Sequence, residues 1–219
     1  FYVYTGVAQV LPCTVRAFIF DNLNDVQGQQ VTAFANTGYN EVGWFYPSTG
    51  SNVCDKMVVY NYVEQAWSIS ELARDSWDDA GASADLPIAV KTSAGAGYLY
   101  EHETGFNDDG QPLSAFIETA DFDVADGDRF AFIRRLLPDL SFVGTSTNPT
   151  LTYSLKSRNN SDGTLTTQSS VDVSNTTDFA MANVRARARQ MRVRIESTDS
   201  DNGWRLGDVR LDVRVDGRR

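Results

Sequence analysis

Five carboxylates crowd the stretch "ETADFDVADGDRF" and offer the most chemistry in the sequence: Glu118, Asp121, Asp123, Asp126 and Asp128. A glycosidase needs two carboxylates that flank a sugar, and calcium needs several oxygens that converge at about 2.5 Å. The ligand types suit a calcium loop, but their spacing is not that of an EF-hand. We favour a polar turn between two strands, in which Asp126-Gly127 makes the bend, over calcium binding and over catalysis.

His102, in "YEHET", is the only histidine. A single histidine cannot build a His-based metal site, and the sequence marks no partners for a Ser-His-Asp triad. We expect His102 to lie on a strand and to face a loop or solvent. The phosphate-binding pattern GxxxxGK[ST] and the nucleophile pattern GxSxG are both absent. The sequence therefore predicts no enzyme, no catalytic, cofactor-binding or metal-binding residues, and no cofactor.

Cys13 and Cys54 are too few for a disulfide scaffold and are expected to be reduced, buried thiols. The tryptophans offer either a sugar-binding platform or core anchors, and we favour anchors because two of the four occupy strand-core positions. They are Trp44, Trp67, Trp77 and Trp204.

An arginine-rich run, "RARARQMRVRIES", spans residues 185–197 of an otherwise acidic chain. Arginine alternates with apolar residues, and the charged positions change parity near Gln190. A bulge or a change of packing partner explains that switch, whereas a disordered basic arm does not. We predict that Met191, Val193 and Ile195 are buried while Arg192 and Arg194 point away. The second run, residues 209–216, mixes Arg with Asp and is predicted to form a hairpin with the first.

The net charge of −10 disfavours general adhesion to nucleic acid or to anionic membranes. The charge is uneven, because residues 184–219 hold ten arginines against six acidic residues. This asymmetry suggests head-to-tail contacts between copies as readily as a nucleic-acid patch. No run of eighteen apolar residues exists, so no membrane anchor is expected.

The strand and helix patterns around these residues predict an all-β fold with one short helix. Tyr-x-Tyr recurs in three strand-like runs whose separations are near the size of a four-stranded propeller blade. We predict a propeller-like β segment over residues 1–110, with a helix near 22–36 where N-cap residues precede a helical spacing. Residues 111–219 carry alternating strands at the spacing of a β-sandwich.

The segments "FYVYTGVAQVLPCTVRAFIF", "NEVGWFYPS", "DKMVVYNYVEQAWSIS" and "GYLYEHETG" resemble consecutive parts of virion structural proteins from tailed bacteriophages. "DGDRFAFIRRLLPDLSF" and "GWRLGDVRLDVRVDGRR" resemble the end of the same proteins. The resemblance covers essentially the whole chain and is to the tail nozzle, or tail tubular, proteins of short-tailed phages. Its motifs are packing and turn patterns rather than catalytic signatures.

The resemblance implies the C-terminal part of a subunit in which propeller blades precede a β-sandwich. It implies a homohexameric ring beneath the portal and adaptor proteins, near the tail fibres or spikes, that retains and releases genomic DNA with only transient contact. The expected location is the virion tail, assembled in the bacterial cytoplasm. A receptor- or glycan-binding tail module is the alternative, and a glycosidase-like enzyme that uses Glu118 to Asp128 is a third.

Overall fold

The computed structural model describes residues 1–81, 84–124, 128–175 and 181–217, and strands dominate it. One α-helix, α1 (Arg16–Asn22), and two 3₁₀ segments, Asp25–Gln30 and Thr37–Tyr39, interrupt the strands. The all-β class with a short helix is confirmed. Backbone contacts divide the chain into two compact units, residues 1–104 and residues 105–219.

The first unit contains two antiparallel sheets and an N-terminal hairpin. Its strands are β1 (Tyr2–Tyr4), β2 (Ala8–Val10), β3 (Thr32–Asn36), β4 (Glu41–Tyr46), β5 (Lys56–Asn61), β6 (Ala66–Ser70), β7 (Ser76–Asp78), β8 (Ile88–Ser93) and β9 (Ala96–Glu101). Strands β3 to β6 pair in sequence order as a four-stranded meander, the arrangement found in one propeller blade. Strands β7 to β9 form a three-stranded meander.

The β5–β6 hairpin turns over residues 62–65. Gln65 takes a positive φ of 54° in this turn. Asn61 stabilises the turn because its Oδ1 accepts hydrogen bonds from the backbone N–H groups of Val63 and Glu64.

The helix predicted near residues 22–36 is wrong in position and length. Helix α1 ends where the predicted helix begins, and only the 3₁₀ segment Asp25–Gln30 follows it. Asn24 does cap a helical turn, since its Oδ1 accepts a hydrogen bond from Val26 N–H. The 3₁₀ turn does not extend, because Gly28 and β-branched Val31 disfavour a helix. Phe34 instead lies on strand β3, where its ring stacks on Phe45 of β4.

The second unit is built from two larger antiparallel sheets, one short hairpin and a two-stranded sheet whose strands are distant in sequence. Its strands are β10 (Asn107–Asp108), β11 (Gln111–Pro112), β12 (Ala115–Glu118), β13 (Phe122–Asp123), β14 (Ala131–Leu137), β15 (Leu140–Gly144), β16 (Thr150–Arg158), β17 (Thr166–Ser174), β18 (Ala182–Ala188), β19 (Gln190–Ser197), β20 (Asn202–Leu206) and β21 (Arg210–Val215). One sheet has the order β12–β19–β16–β17, with β13 also paired to β19, and the other has the order β18–β14–β21. The β16–β17 pair is a hairpin that surrounds Asp162-Gly163, a dipeptide that favours tight turns.

The two larger sheets share one apolar core, which makes this unit a β-sandwich. Alternate residues of each strand enter that core, such as Ile133 from β14, Leu155 from β16 and Val184 from β18. The residues between them carry the charges of the unit to the outer faces. The period-two pattern of the sequence therefore positions both the core and the charged surfaces.

The predicted hairpin between the two arginine-rich runs is wrong. Strand β19 pairs with β12, β13 and β16, whereas β21 pairs with β14. The second half of the first run, on β19, thus lies in the opposite sheet, whereas its first half, on β18, shares a sheet with β21 but is separated from it by β14. Local alternation indicates a strand but does not identify its partner, because partners in a sandwich are distant in sequence.

Candidate functional site

The parity switch near Gln190 corresponds to a change of sheet. Ala186 and Ala188 of β18 are buried on one side of Arg189, and Met191, Val193 and Ile195 of β19 are only 1–2% exposed on the other. The burial predicted for those three residues is confirmed.

Arg192 and Arg194 point away from the core, as predicted, and join the carboxylates of β12 and the following loop. Arg192 Nη1 lies 3.2 Å from Glu118 Oε1, and Arg192 Nε lies 2.5 Å from Asp121 Oδ1. Two cations from the neighbouring strand β16 complete the group: Lys156 binds Glu118 at 2.7 Å, and Arg158 binds Asp121. We call Glu118, Asp121, Lys156, Arg158, Arg192 and Arg194 the carboxylate network.

The network keeps its two carboxylates ionised. The hydrogen bond from Arg192 lowers the pKa of Asp121, partial burial opposes that effect, and Arg158 lowers the pKa further. Burial would raise the pKa of Glu118, but hydrogen bonds from Lys156 and Arg192 outweigh it and lower the pKa. The same contacts raise the pKa of Arg192, with Asp121 the larger contributor.

This geometry suits ion pairing better than acid catalysis. A glycosidase acid must keep its proton near neutral pH, which requires a raised carboxyl pKa. Glu118 and Asp121 have lowered values, and their oxygens already accept hydrogen bonds from cations. The network therefore stabilises the sheet by joining β12, β16 and β19.

Two further acidic residues of the run lie at the surface. Asp123 is exposed on β13, and Asp128 is exposed at the start of the following turn. Asp126, in the middle of the predicted calcium loop, lies outside the described residues. Within the parts of the chain that the structure describes, no three His, Cys, Asp or Glu side chains gather as metal ligands do.

The opposite sheet carries a second charged surface, and its charges do not balance. Strands β18, β14 and β21 hold six arginines, no lysine and a single acid, Asp212. We call the outer side of this sheet the arginine face. Its arginines are Arg134, Arg135, Arg185, Arg187, Arg210 and Arg214.

Some of these arginines are anchored within the unit. Arg135 Nε donates to Asp212 Oδ2 at 2.9 Å, and Arg187 Nε donates to Asp216 Oδ2 at 2.5 Å. Arg187 also lies over the Phe130 ring, 4.1 Å from its centroid, in a cation–π contact. Arg185 and Arg214 are exposed, and neither makes an ion pair with any residue that the structure describes.

A β-bulge in β14 places two arginines side by side on this face. The pairing register of β14 shifts between Ile133 and Arg135 against both of its neighbours, but in opposite senses. Arg134 is the extra residue against β21, whereas β18 has one residue more than β14 over this stretch. Arg134 and Arg135 consequently both reach Asp212, at 3.6 and 2.9 Å. Beside them, Asn183 and Arg185 line a shallow concavity.

His102 occupies a more enclosed position than predicted. It follows β9, is half-buried, and packs against Trp77 in a tilted arrangement with ring centroids 4.6 Å apart. Its Nε2 accepts a hydrogen bond from Arg74 Nε at 3.0 Å, and Arg74 is itself buried and packs 4.1 Å from the Tyr100 ring centroid. The expectation of a loop- or solvent-facing histidine is wrong, because the His102 ring packs against Trp77 of β7 while Glu101 and Glu103 on either side of it are exposed.

The tryptophans act as core anchors. All four are half-buried, and each packs against a hydrophobic core: Trp44, Trp67, Trp77 and Trp204.

Both cysteines are free thiols, but only Cys54 is buried while Cys13 is half-buried. Burial, followed by the charges of Asp75 and Asp55, raises the pKa of Cys54 to about 11, so this thiol is a poor nucleophile at neutral pH.

The sequence reasoning missed the cations of β16 and the adjacent arginines of β14. Lys156 and Arg158 occupy alternate positions of "SLKSR" and share the outer face of their sheet. That period-two spacing was a usable signal, whereas their partners Glu118 and Asp121 lie 38 and 37 residues away. The bulge that pairs Arg134 with Arg135 has no comparable signal, since it depends on the register with two distant strands.

Comparison with protein-family models finds no match, and comparison with curated protein sequences finds none either. Among the described residues, no helix has both the length and the apolar character needed to cross a bilayer.

Proposed function

We propose that the chain is a non-enzymatic structural subunit of a bacteriophage tail. In this proposal it belongs to the nozzle or hub and helps to form a ring around the DNA exit channel, which retains and releases the genome. The observation that carries the proposal is the arginine face, which displays six arginines on a chain with a net charge of −10. Such opposed charges favour assembly between protein surfaces.

The charge of the chain is compatible with a conduit for DNA. The first unit holds twelve acidic and four basic residues. Because DNA binding depends on neutralising phosphates with Lys and Arg, a mainly acidic wall does not hold a moving genome. The carboxylate network contributes to rigidity rather than to chemistry, since its acids are ionised and paired.

Electron microscopy of the purified chain, alone and mixed with its tail partners, tests the proposal. We expect rings, together with the chain among the tail proteins of purified virions. A chain that stays monomeric beside those partners, and that is absent from virions, would contradict the proposal.

A receptor- or glycan-binding tail module is the second candidate, and the N-terminal hairpin favours it. Tyr2 and Tyr4 are 74% and 76% exposed at alternate positions of β1. Aromatic rings on one side of a strand can stack on sugars. The paired substitution Tyr2→Ala and Tyr4→Ala should then abolish binding to host-surface glycans, as measured by isothermal titration calorimetry, without affecting ring formation.

A further inference from the structure

The composition of the arginine face is that of a protein-binding surface. All six of its basic residues are arginine, and protein interfaces are enriched in arginine and depleted in lysine. Two large apolar side chains, 38% and 47% exposed, lie on the outer side of this sheet: Leu137 and Met181. A nucleic-acid surface is more uniformly basic and polar.

Two arginines are available for a partner. Arg185 projects from β18 and Arg214 from β21, on the two strands that flank β14. Strand pairing already fixes both backbones, so little further conformational entropy is lost when either arginine binds a carboxylate. Arg214 lies opposite Phe132 in the strand register, which places an aromatic ring between the two edges of the face.

The first unit presents a surface of the opposite charge. Asp78 of β7 and Glu101 of β9 both lie opposite Ile88 of β8, so they share one side of that sheet. Both acids are exposed, and Leu99, two positions before Glu101, is 69% exposed on the same side. The other side carries Trp77 and the buried Ala89. We call the side with Asp78, Ile88, Leu99 and Glu101 the acidic face.

We propose that the arginine face of one copy docks on the acidic face of a second copy. The two surfaces match in charge and both combine charged with apolar groups, as the centre and rim of an interface do. Because each copy uses two different surfaces, the contact is head-to-tail and either closes a ring or extends a filament. This inference rests on the proposed structural function and identifies the surfaces that assemble.

A charge-swap series with the 219-residue chain tests this contact. Arg185→Glu with Arg214→Glu should weaken self-association about tenfold or more, because like charges then oppose each other across the contact. Asp78→Arg with Glu101→Arg should weaken it similarly, and an equimolar mixture of the two double variants should restore association. Arg205→Glu is the matched control, since Arg205 is exposed on β20, outside the arginine face.

Sedimentation velocity at low and high salt measures association, and circular dichroism verifies that each variant is folded. Restored association in the mixture, with an unchanged Arg205→Glu control, supports the contact. Equal self-association of the wild type and the Arg185/Arg214 variant overturns the contact. The contact is also overturned if the wild type binds duplex DNA and the variant loses that binding while its self-association is unchanged. Rings that survive the arginine reversal would overturn the docking contact and leave the structural function standing. A chain that never assembles and is absent from virions would overturn both.

Discussion

Asp121 is the residue on which two arginines from neighbouring strands converge. Replacing it with Asn keeps the shape but removes the charge that Arg158 and Arg192 share. We expect Asp121→Asn to lower the free energy of unfolding at neutral pH by about 2 kcal/mol, because the two arginines lose a charged hydrogen-bond partner. Urea denaturation measures the change.

The same substitution should alter the pH dependence of stability. The pKa of Asp121 is lowered in the folded protein, so its contribution is complete above the unfolded pKa of about 3.9 and is lost as the pH falls through the folded value. The difference between wild type and Asp121→Asn should therefore shrink towards about pH 2. Asp123→Asn is the control: Asp123 is exposed on the adjacent strand, and its change should stay within about 0.5 kcal/mol. A difference for Asp121→Asn that persists in acid would contradict the assignment.

Gly43 shows how closely the first unit is packed. A Cβ atom at this position would lie 2.4 Å from Phe34 Cζ and 2.8 Å from the backbone oxygen of Val58. We expect Gly43→Ala to destabilise the protein by about 2 kcal/mol, since Phe34 must leave its stack on Phe45. Gly97→Ala should leave stability unchanged or raise it by up to about 1 kcal/mol, because no heavy atom lies within 4 Å of the added methyl group. Thermal unfolding of both variants provides the comparison, and equal losses would refute the packing argument.

At the level of elements, the bulge in β14 determines how many arginines reach the surface. Arg134 is the extra residue in the register with β21, so its deletion leaves Ile133 facing inward, Arg135 outward and Leu136 inward. The deletion adds to the mismatch with β18, which already has one residue more than β14 over this stretch. Deletion of Phe132 instead shifts the residues on one side of the deletion by one position relative to the partner strands. Their side chains would then point to the opposite side of the sheet. We expect the Arg134 deletion to fold, with some loss of stability at the β18 pairing, and the Phe132 deletion to unfold, as measured by circular dichroism and proteolysis. Equal tolerance of both deletions would show that the bulge does not set the register.

The strands and helices also show which features of the fold could be predicted from the sequence and which could not. Alternation predicted the strands and the burial of Met191, Val193 and Ile195, because a period of two depends only on local residue order. It failed for the helix near residues 22–36, where an N-cap signal gave only a 3₁₀ turn and packing of Phe34 imposed a strand. It also failed for the pairing of the two arginine-rich runs, because strand partners are chosen by contacts across the whole sandwich. The carboxylate network depends on those same distant pairings. The sequence therefore indicated its acids as a cluster but did not indicate which cations pair with them.

At the scale of the whole molecule, charge and packing separate along the chain. The first unit is acidic, whereas the second neutralises one outer face through the carboxylate network and leaves arginine in excess on the other. Each unit also has its own hydrophobic core, since Phe34 and Phe45 pack in the first and Leu155 and Ile195 in the second. A chain organised in this way keeps two oppositely charged surfaces on separate scaffolds, which is what head-to-tail assembly requires.

The separate cores predict that the two units unfold as distinct cooperative transitions. Because each core holds its own unit together, Gly43→Ala should lower the melting temperature of only the first unit and Asp121→Asn that of only the second. Differential scanning calorimetry of the intact chain measures both transitions. The separately expressed segment 105–219 should reproduce the transition that responds to Asp121→Asn, because a shared core of two sheets suffices for a sandwich of this size. A single transition that both substitutions shift by the same amount would show that the two cores unfold together.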